Sequence, residues 1–266
     1  MGGAMAISNI DGIAERLKAE GTTSRRRGAE KAQKALTWVY RWGFSTPTLV
    51  DQWASPTKAG LCKRLIEKGL LQSWPTPGGG GQKGIPHAVV ALTKEGEAIV
   101  VAGLNRVEDL LDQAGAEEVQ WHQLRHDILV QRATLNMSPH KFLTPKEIKF
   151  QSTQGVKQPD CIWVSENGEK MGIELELTPK KRGREIDQTI LSLLHAVKKD
   201  NPVGLNSIRI FTHSNMILKD YEERLKPGQN INLWEKDTSR RWVLSGKSIT
   251  VPDWANERFY LVKIEL

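Results

Sequence analysis

Cysteine is scarce in this chain: its 266 residues include only two, Cys62 and Cys161. They stand in unrelated contexts with no CxxC pair, which argues against a disulfide framework or a zinc site. A reduced, cytoplasmic setting is the expectation. No apolar run is long enough to span a bilayer, so no membrane partner is expected. The opening stretch "MGGAMAISNI" lacks the charged start and long apolar core of a secretory signal. The six histidines are scattered. The stretch "GGGGQKG" is not followed by a Lys-Ser/Thr pair, which excludes a nucleotide-binding phosphate loop. Cys161 has no histidine near it in the chain, so thiol catalysis is not expected. Net charge is also missing from most of the molecule, because residues 84–266 carry 25 basic and 25 acidic side chains.

The whole formal charge of +7 therefore lies in residues 1–83, which hold 13 Lys and Arg against 6 Asp and Glu. A basic segment joined to a neutral one suggests a nucleic-acid contact near the N-terminus, although charge alone fits a solvated basic surface equally well. Residues 1–27 read as a basic arm ending in "TTSRRRG". From residue 28 the apolar spacing becomes helical, with Ala32, Ala35, Leu36, Val39 and Tyr40 on one side. "STPTLVDQWA" predicts a second helix, capped by Ser45 or Thr46 with Pro47 in its first turn. "SPTKAGLCKRLIEKG" predicts a third, with Ala59, Leu61, Cys62, Leu65 and Ile66 inside. Two short strands, "LLQSW" and "HAVVAL", flank a Gly/Pro loop, and "LTKEGEAIVVAG" predicts a helix capped by Thr93.

Three helices, a two-stranded wing and a closing helix over 28–104 spell a winged helix-turn-helix. In that arrangement the third helix enters the major groove of double-stranded DNA. Thr57, Lys58, Lys63 and Arg64 are then the DNA-facing candidates, and Lys83 reaches a phosphate from the wing. The same architecture also serves protein contacts; the local positive charge favours DNA. An acidic connector, "NRVEDLLDQAGAEE", follows.

Residues 116–266 form the second predicted domain. A long helix over "EVQWHQLRHDILVQRATLNM" precedes strands at "KEIKFQS", "PDCIWVS" and "KMGIELEL". The last two are joined by the Asn-Gly turn of "ENGE". A helix from "KRGREIDQTILSLLHAVKKD", a strand at "SIRIFTHS", a helix at "NMILKDYEERLK" and a strand at "RFYLVKIEL" complete the order. The fold class is α/β (α+β), a mixed sheet flanked by helices.

The stretch "KQPDCIWVSENGEKMGIELELTPKKRG" carries the chemistry. Asp160 opens one strand, and the strand-turn-strand spacing can bring Glu174 back beside it. Glu174 and Glu176 share a face of the next strand, with Ile173, Leu175 and Leu177 on the other. Three converging carboxylates repel one another unless a cation sits among them. Oxygen donors suit Mg²⁺ or Mn²⁺, which can polarise a phosphodiester. "ELEL" alone reads as an ordinary half-exposed strand; the Pro159-Asp160 pair at this spacing makes it a candidate site. The three tyrosines, Tyr40, Tyr221 and Tyr260, read as packing positions away from the carboxylates.

Pro159-Asp160 with "ELE", Glu174-Leu175-Glu176, resembles the PD-(D/E)xK nuclease superfamily. Glu176 stands where that motif usually has lysine; some members of the superfamily use a glutamate there. Lys180 and Lys181 of "TPKK" are the nearest replacements. The order of winged helix, "LRHDILVQ" helix, "PD…ELELTPK" and following helix, over residues 30–200, resembles MobC-type (MOBC) plasmid mobilisation relaxases and the related replication-relaxation proteins. The resemblance implies site-specific, divalent-metal-dependent DNA nicking at a plasmid transfer origin, with other mobilisation or coupling proteins as partners. It implies Asp160, Glu174 and Glu176 as metal ligands, Lys180 at the scissile phosphate or the water, and His126 in support. His126 alone reads as a structural histidine. Two alternatives stay open: a DNA-binding regulatory or accessory protein with a degenerate nuclease fold, and a restriction-type endonuclease.

Overall fold

The structure, a computed structural model, describes residues 23–81, 84–103, 119–151, 158–180, 183–198 and 204–265. The chain is mixed α/β and divides into two compact units. No helix among the described residues is long and apolar enough to cross a membrane.

The first unit begins with α1 (Ser24–Trp42), whose N-cap Thr23 accepts from the Arg26 N–H. Residues 24–27, expected in a basic arm, are therefore the first turn of a helix; the Thr-x-x capping signal lay hidden in the arginine run. Helix α1 buries Ala35, Leu36, Trp38, Val39, Tyr40 and Trp42 and stops at Gly43, at φ 82°. The indole N–H of buried Trp38 donates to Ser45 Oγ at 3.0 Å. Leaving that donor unpaired would cost about 1–3 kcal/mol. Helix α2 (Pro47–Ala54) is capped by Thr46, the second of the two candidates, with Pro47 at its start.

Helix α3 (Leu61–Glu67) is shorter than its sequence pattern predicts. Its true cap is remote. Asp51 of α2 accepts from the N–H of Gly60 and of Cys62, each at 2.7 Å. Residues 55–60 are consequently a turn, and Thr57, Lys58 and Ala59 lie exposed in it rather than on the helix. Cys62 is buried, and burial, with Asp51 adding to it, pushes its thiol up to about 12, so it is inert at neutral pH. Strands β1 (Leu71–Pro75) and β2 (Ala88–Leu92) pair antiparallel, and Ser45 bridges to Val90 on the other side. Helix α4 (Lys94–Gly103) starts on the Thr93 cap, whose Oγ1 accepts from Gly96 N–H. Gly96 is needed because a Cβ there would collide with the carbonyl oxygen of Leu70. The acidic connector at 105–118 lies outside the described residues.

The second unit opens with α5 (Leu124–Met137), β3 (Lys141–Leu143) and α6 (Pro145–Gln151). The strand expected at "KEIKFQS" is instead helix α6. Thr144 and Glu147 form a reciprocal capping box: Thr144 N–H donates to Glu147 Oε2 at 2.7 Å, and Glu147 N–H to Thr144 Oγ1 at 3.5 Å. Pro145 sits at the first helical position, where its missing N–H costs nothing. Four residues of strand-like alternation lose to that cap.

Strands β4 (Cys161–Val164) and β5 (Lys170–Leu175) form the expected hairpin, followed by α7 (Arg184–Ala196), β6 (Ser207–Thr212) and α8 (Asn215–Arg224). A second hairpin, β7 (Asn230–Lys236) with β8 (Trp242–Thr250), and then α9 (Ala255–Arg258) come before the final strand β9 (Phe259–Lys263). The main sheet has the order β3-β4-β5-β6-β9. It is antiparallel through β5 and parallel from β5 to β9. One face carries Ile162, Ile208 and Ile210 against Ile186, Ile190, Leu193 and Ile217 of α7 and α8. On the opposite face Trp163 donates to Thr134 of α5 at 3.0 Å and its ring meets Phe211. With both faces covered, β5 is buried from Gly172 onward rather than half exposed.

Candidate functional site

Asp160 sits just before β4, at the end of the sheet where β5 and β6 finish. Its N–H donates to the Ile173 carbonyl at 2.9 Å, and its Oδ2 accepts from the Leu175 N–H at 2.7 Å. The hairpin thus does return the chain to Asp160's side. Glu174 lies in β5 opposite Ile210, and the Glu176 N–H continues the ladder to the Phe211 carbonyl. Period-two alternation puts both glutamates on the face that α7 and α8 cover. Each is only 6% exposed, so both are buried acids and not the solvated rim of a strand.

Buried carboxylates need partners. Glu176 has two: the Tyr221 hydroxyl donates to Oε1 at 2.8 Å, and Lys180 Nζ lies 3.2 Å from Oε2. Contrary to what its place in the sequence suggests, Tyr221 does not pack away from the carboxylates: α8 delivers its hydroxyl onto Glu176 from 45 residues along the chain. The signal was present but weak: a tyrosine on an apolar helix face must find a partner for its O–H. Burial first, then the charges of Glu176, Glu174 and Asp160, hold the phenol far above its ordinary value. All three carboxylates therefore act on one hydroxyl.

His126 comes to Asp160 from α5, on the other covering layer. Its Nε2 is 3.0 Å from Asp160 Oδ2 and its Nδ1 3.1 Å from Asp127 Oδ1. Burial opposes a charge on this ring. The hydrogen bonds and charges of Asp127 and Asp160 outweigh it and raise the imidazole to about 10. His126 is thus an imidazolium at neutral pH, clamped between two acids and unsuited to act as a base. In metal-free protein, a proton NMR titration should place its midpoint near pH 10, well above the ordinary 6.5. A raised folded value stabilises the fold fully below pH 6.5 and loses that stabilisation as pH climbs toward 10. His126→Gln should accordingly cost most stability in mild acid and least near pH 10. An unshifted midpoint would dismiss the clamp.

The donor chemistry fits a hard divalent cation. Asp160, Glu174 and Glu176 are oxygen donors at the same end of the sheet, the type of donor that such a cation prefers. As the side chains stand, no three His, Cys, Asp or Glu groups among the described residues close on one point. The partners explain why: Asp160 Oδ2 is taken by Leu175 N–H and His126, and both Glu176 oxygens are taken by Tyr221 and Lys180.

In the first unit, Lys63 and Arg64 are exposed on α3, and Lys63 makes a loose ion pair with Glu67 at 3.9 Å. Thr57 and Lys58 are exposed in the turn before it. Lys83 lies outside the described residues. Comparison with protein-family models, curated proteins and solved structures found no match to this chain.

Proposed function

We propose that this chain is a DNA-nicking enzyme of plasmid mobilisation, built from a winged helix-turn-helix and a PD-(D/E)xK nuclease-like sheet. The observation that carries the reading is that Asp160, Glu174, Glu176, Lys180 and His126 gather at one end of a mixed sheet. They come from elements up to 54 positions apart, which solvated surface charges would not do. In open sheets with parallel strands, ligands bind beyond the carboxyl ends of those strands, where β5 and β6 finish.

In this reading Asp160, Glu174 and Glu176 hold Mg²⁺ or Mn²⁺, which when bound supplies polarisation of the phosphodiester and neutralises the developing charge. Lys180 is the cation placed to meet the scissile phosphate, and its pairing with Glu176 at 3.2 Å positions it. His126 fixes the rotamer of Asp160 through Nε2. Tyr221 stays protonated and orients Glu176. Its raised pKa makes it a poor nucleophile, so attack by water, leaving no protein–DNA adduct, is the matching chemistry. In the first unit, Lys63 and Arg64 on α3, with Thr57 and Lys58 beside them, meet duplex DNA at the transfer origin.

A second reading rests on the saturated Glu176. With both oxygens already engaged, the sheet is a binding platform and the protein a DNA-binding regulator. Supercoiled plasmid incubated with the protein and Mg²⁺ or Mn²⁺ separates the two. The nicking reading expects conversion to open circle, abolished by EDTA and by Glu176→Gln. DNA affinity should fall steeply with salt through release of counterions. A plasmid that stays supercoiled with either metal, carrying its own origin, selects the platform.

A further inference from the structure

The β7–β8 hairpin has no counterpart in the elements read from the sequence, and it is built unlike the rest of its unit. Its root is fixed. Ile231 is fully buried in the core, and Asp187 of α7 accepts hydrogen bonds from Trp234 Nε1 at 3.0 Å and Asn232 Nδ2 at 3.4 Å. Beyond the root almost every residue of β8 is exposed, on both faces of the ribbon. Trp242 is 41% exposed, Leu244 57% and Ile249 44%. Lys236, Arg240, Arg241 and Lys247 stand on the ribbon against Glu235 and Asp237, and Asp237 is already paired to Arg241 at 3.2 Å. In a segment of the chain with no net charge, this ribbon is locally basic.

The face that carries Trp242 is also defined. Trp242 pairs with Lys236 and Leu244 with Trp234, so these four share one face, the face that meets α7. Arg184, in the first turn of α7, lies 4.9 Å from the Trp242 ring centre, and Lys236 lies 5.3 Å from it. The root adjoins the candidate site as well. A cavity of about 320 Å³ is lined by Lys180 and Arg224, by Asp220 and Glu223, and by the amides of Asn230 and Asn232. A polar path of mixed charge thus runs from the Glu176–Lys180 pair to the hairpin root, and the excess of cations begins only on the ribbon beyond it, beside the exposed indole.

We propose that this hairpin is a single-strand-binding arm of the second unit. It holds the DNA strand that leaves the candidate site, with Arg184, Lys236, Arg240, Arg241 and Lys247 on phosphates and Trp242 as the stacking platform for a base. Exposed aromatics set among cations are the chemistry by which proteins bind single strands without regard to sequence. The positive ribbon complements the phosphate backbone and disfavours a second copy of itself. The choice of strand at the site rests on the nicking reading; the affinity itself does not.

The test uses the full chain in EDTA with a fluorescent oligo-dT of about 20 nucleotides, long enough for one such site, read by anisotropy. Trp242→Ala should weaken binding about tenfold, as loss of one base stack does, with unchanged circular dichroism because the ring lies outside the core. Trp242→Phe should stay within about twofold, since a phenyl ring still stacks. Arg240→Ala with Arg241→Ala should flatten the slope of log affinity against log salt by about 1.4, at about 0.7 for each phosphate contact on a single strand. Wild-type affinity in Trp242→Ala overturns the proposal. So does a dimer in sedimentation that Trp242→Ala dissolves, because the ribbon then pairs with a second copy. The same preparations are assayed on supercoiled plasmid with Mg²⁺ or Mn²⁺. Loss of oligo-dT affinity without any nicking by the wild type leaves the arm standing and removes the nicking reading. Nicking with no loss of affinity does the reverse.

Discussion

Asp160→Asn should reduce plasmid nicking by at least about 10³-fold, the scale on which removal of one essential charge-stabilising group acts. Asparagine is nearly isosteric with aspartate, and its amide oxygen can still accept the Leu175 N–H that Asp160 Oδ2 holds at 2.7 Å. The backbone bond from position 160 to the Ile173 carbonyl is unaffected. The backbone contacts should therefore persist, but at neutral pH the melting temperature should fall, because part of the stabilisation held in the raised His126 value goes with the Asp160 charge. What disappears is one negative charge of the carboxylate set and half of the clamp on His126. The His126 titration midpoint should drop from about 10 toward its ordinary value, because Asp160 supplies both a hydrogen bond and a charge to it. Duplex affinity should hold, since the chain's entire positive excess is in residues 1–83. Nicking at the parent rate by Asp160→Asn would remove Asp160 from the chemistry. An unshifted His126 in the variant would show that Asp127 alone raises the ring.

Asp187→Ala should destabilise the second unit by about 3 kcal/mol, the low end of the range for breaking a buried ion pair. Asp187 is fully buried and holds Arg224 of α8 at 2.9 Å, together with the Trp234 indole and the Asn232 amide of β7. Arg224 is 28% exposed, and water can partly rescue its charge once the acid is gone, which is why the low end applies. The indole and amide donors lose their acceptor in the same step. A loss of this size corresponds to roughly 10 °C in melting temperature for a unit of this length. Urea unfolding followed by circular dichroism reads it directly. A change below about 1 kcal/mol would mean that the three donors find water instead, as exposed pairs do. Because Asp187 anchors the β7–β8 root, hydrogen exchange in that hairpin should rise in the variant even where the rest of the unit stays protected.

The residues that act on their own neighbours were legible from the chain alone. Thr46 with Pro47, Thr93 before α4, and the Asn-Gly turn between β4 and β5 are local chemistry, and the structure holds each of them. So is the two-residue spacing that puts Glu174 and Glu176 on one face. Even a local signal loses when a stronger one overlaps it: the alternation in "KEIKFQS" yielded to the Thr144–Glu147 capping box. Partners far apart in sequence were decided only by the tertiary structure. Asp51 caps α3 across nine residues and so strips Thr57 and Lys58 from the helix. Tyr221 reaches Glu176 from 45 residues away, and Trp234 reaches Asp187 from 47. Such pairings follow from burial. Once β5 is covered on both faces, a carboxylate on it must take whatever donor the covering helix presents. Pattern along the chain shows which side chains share a face, and not which donor the opposite layer brings to them.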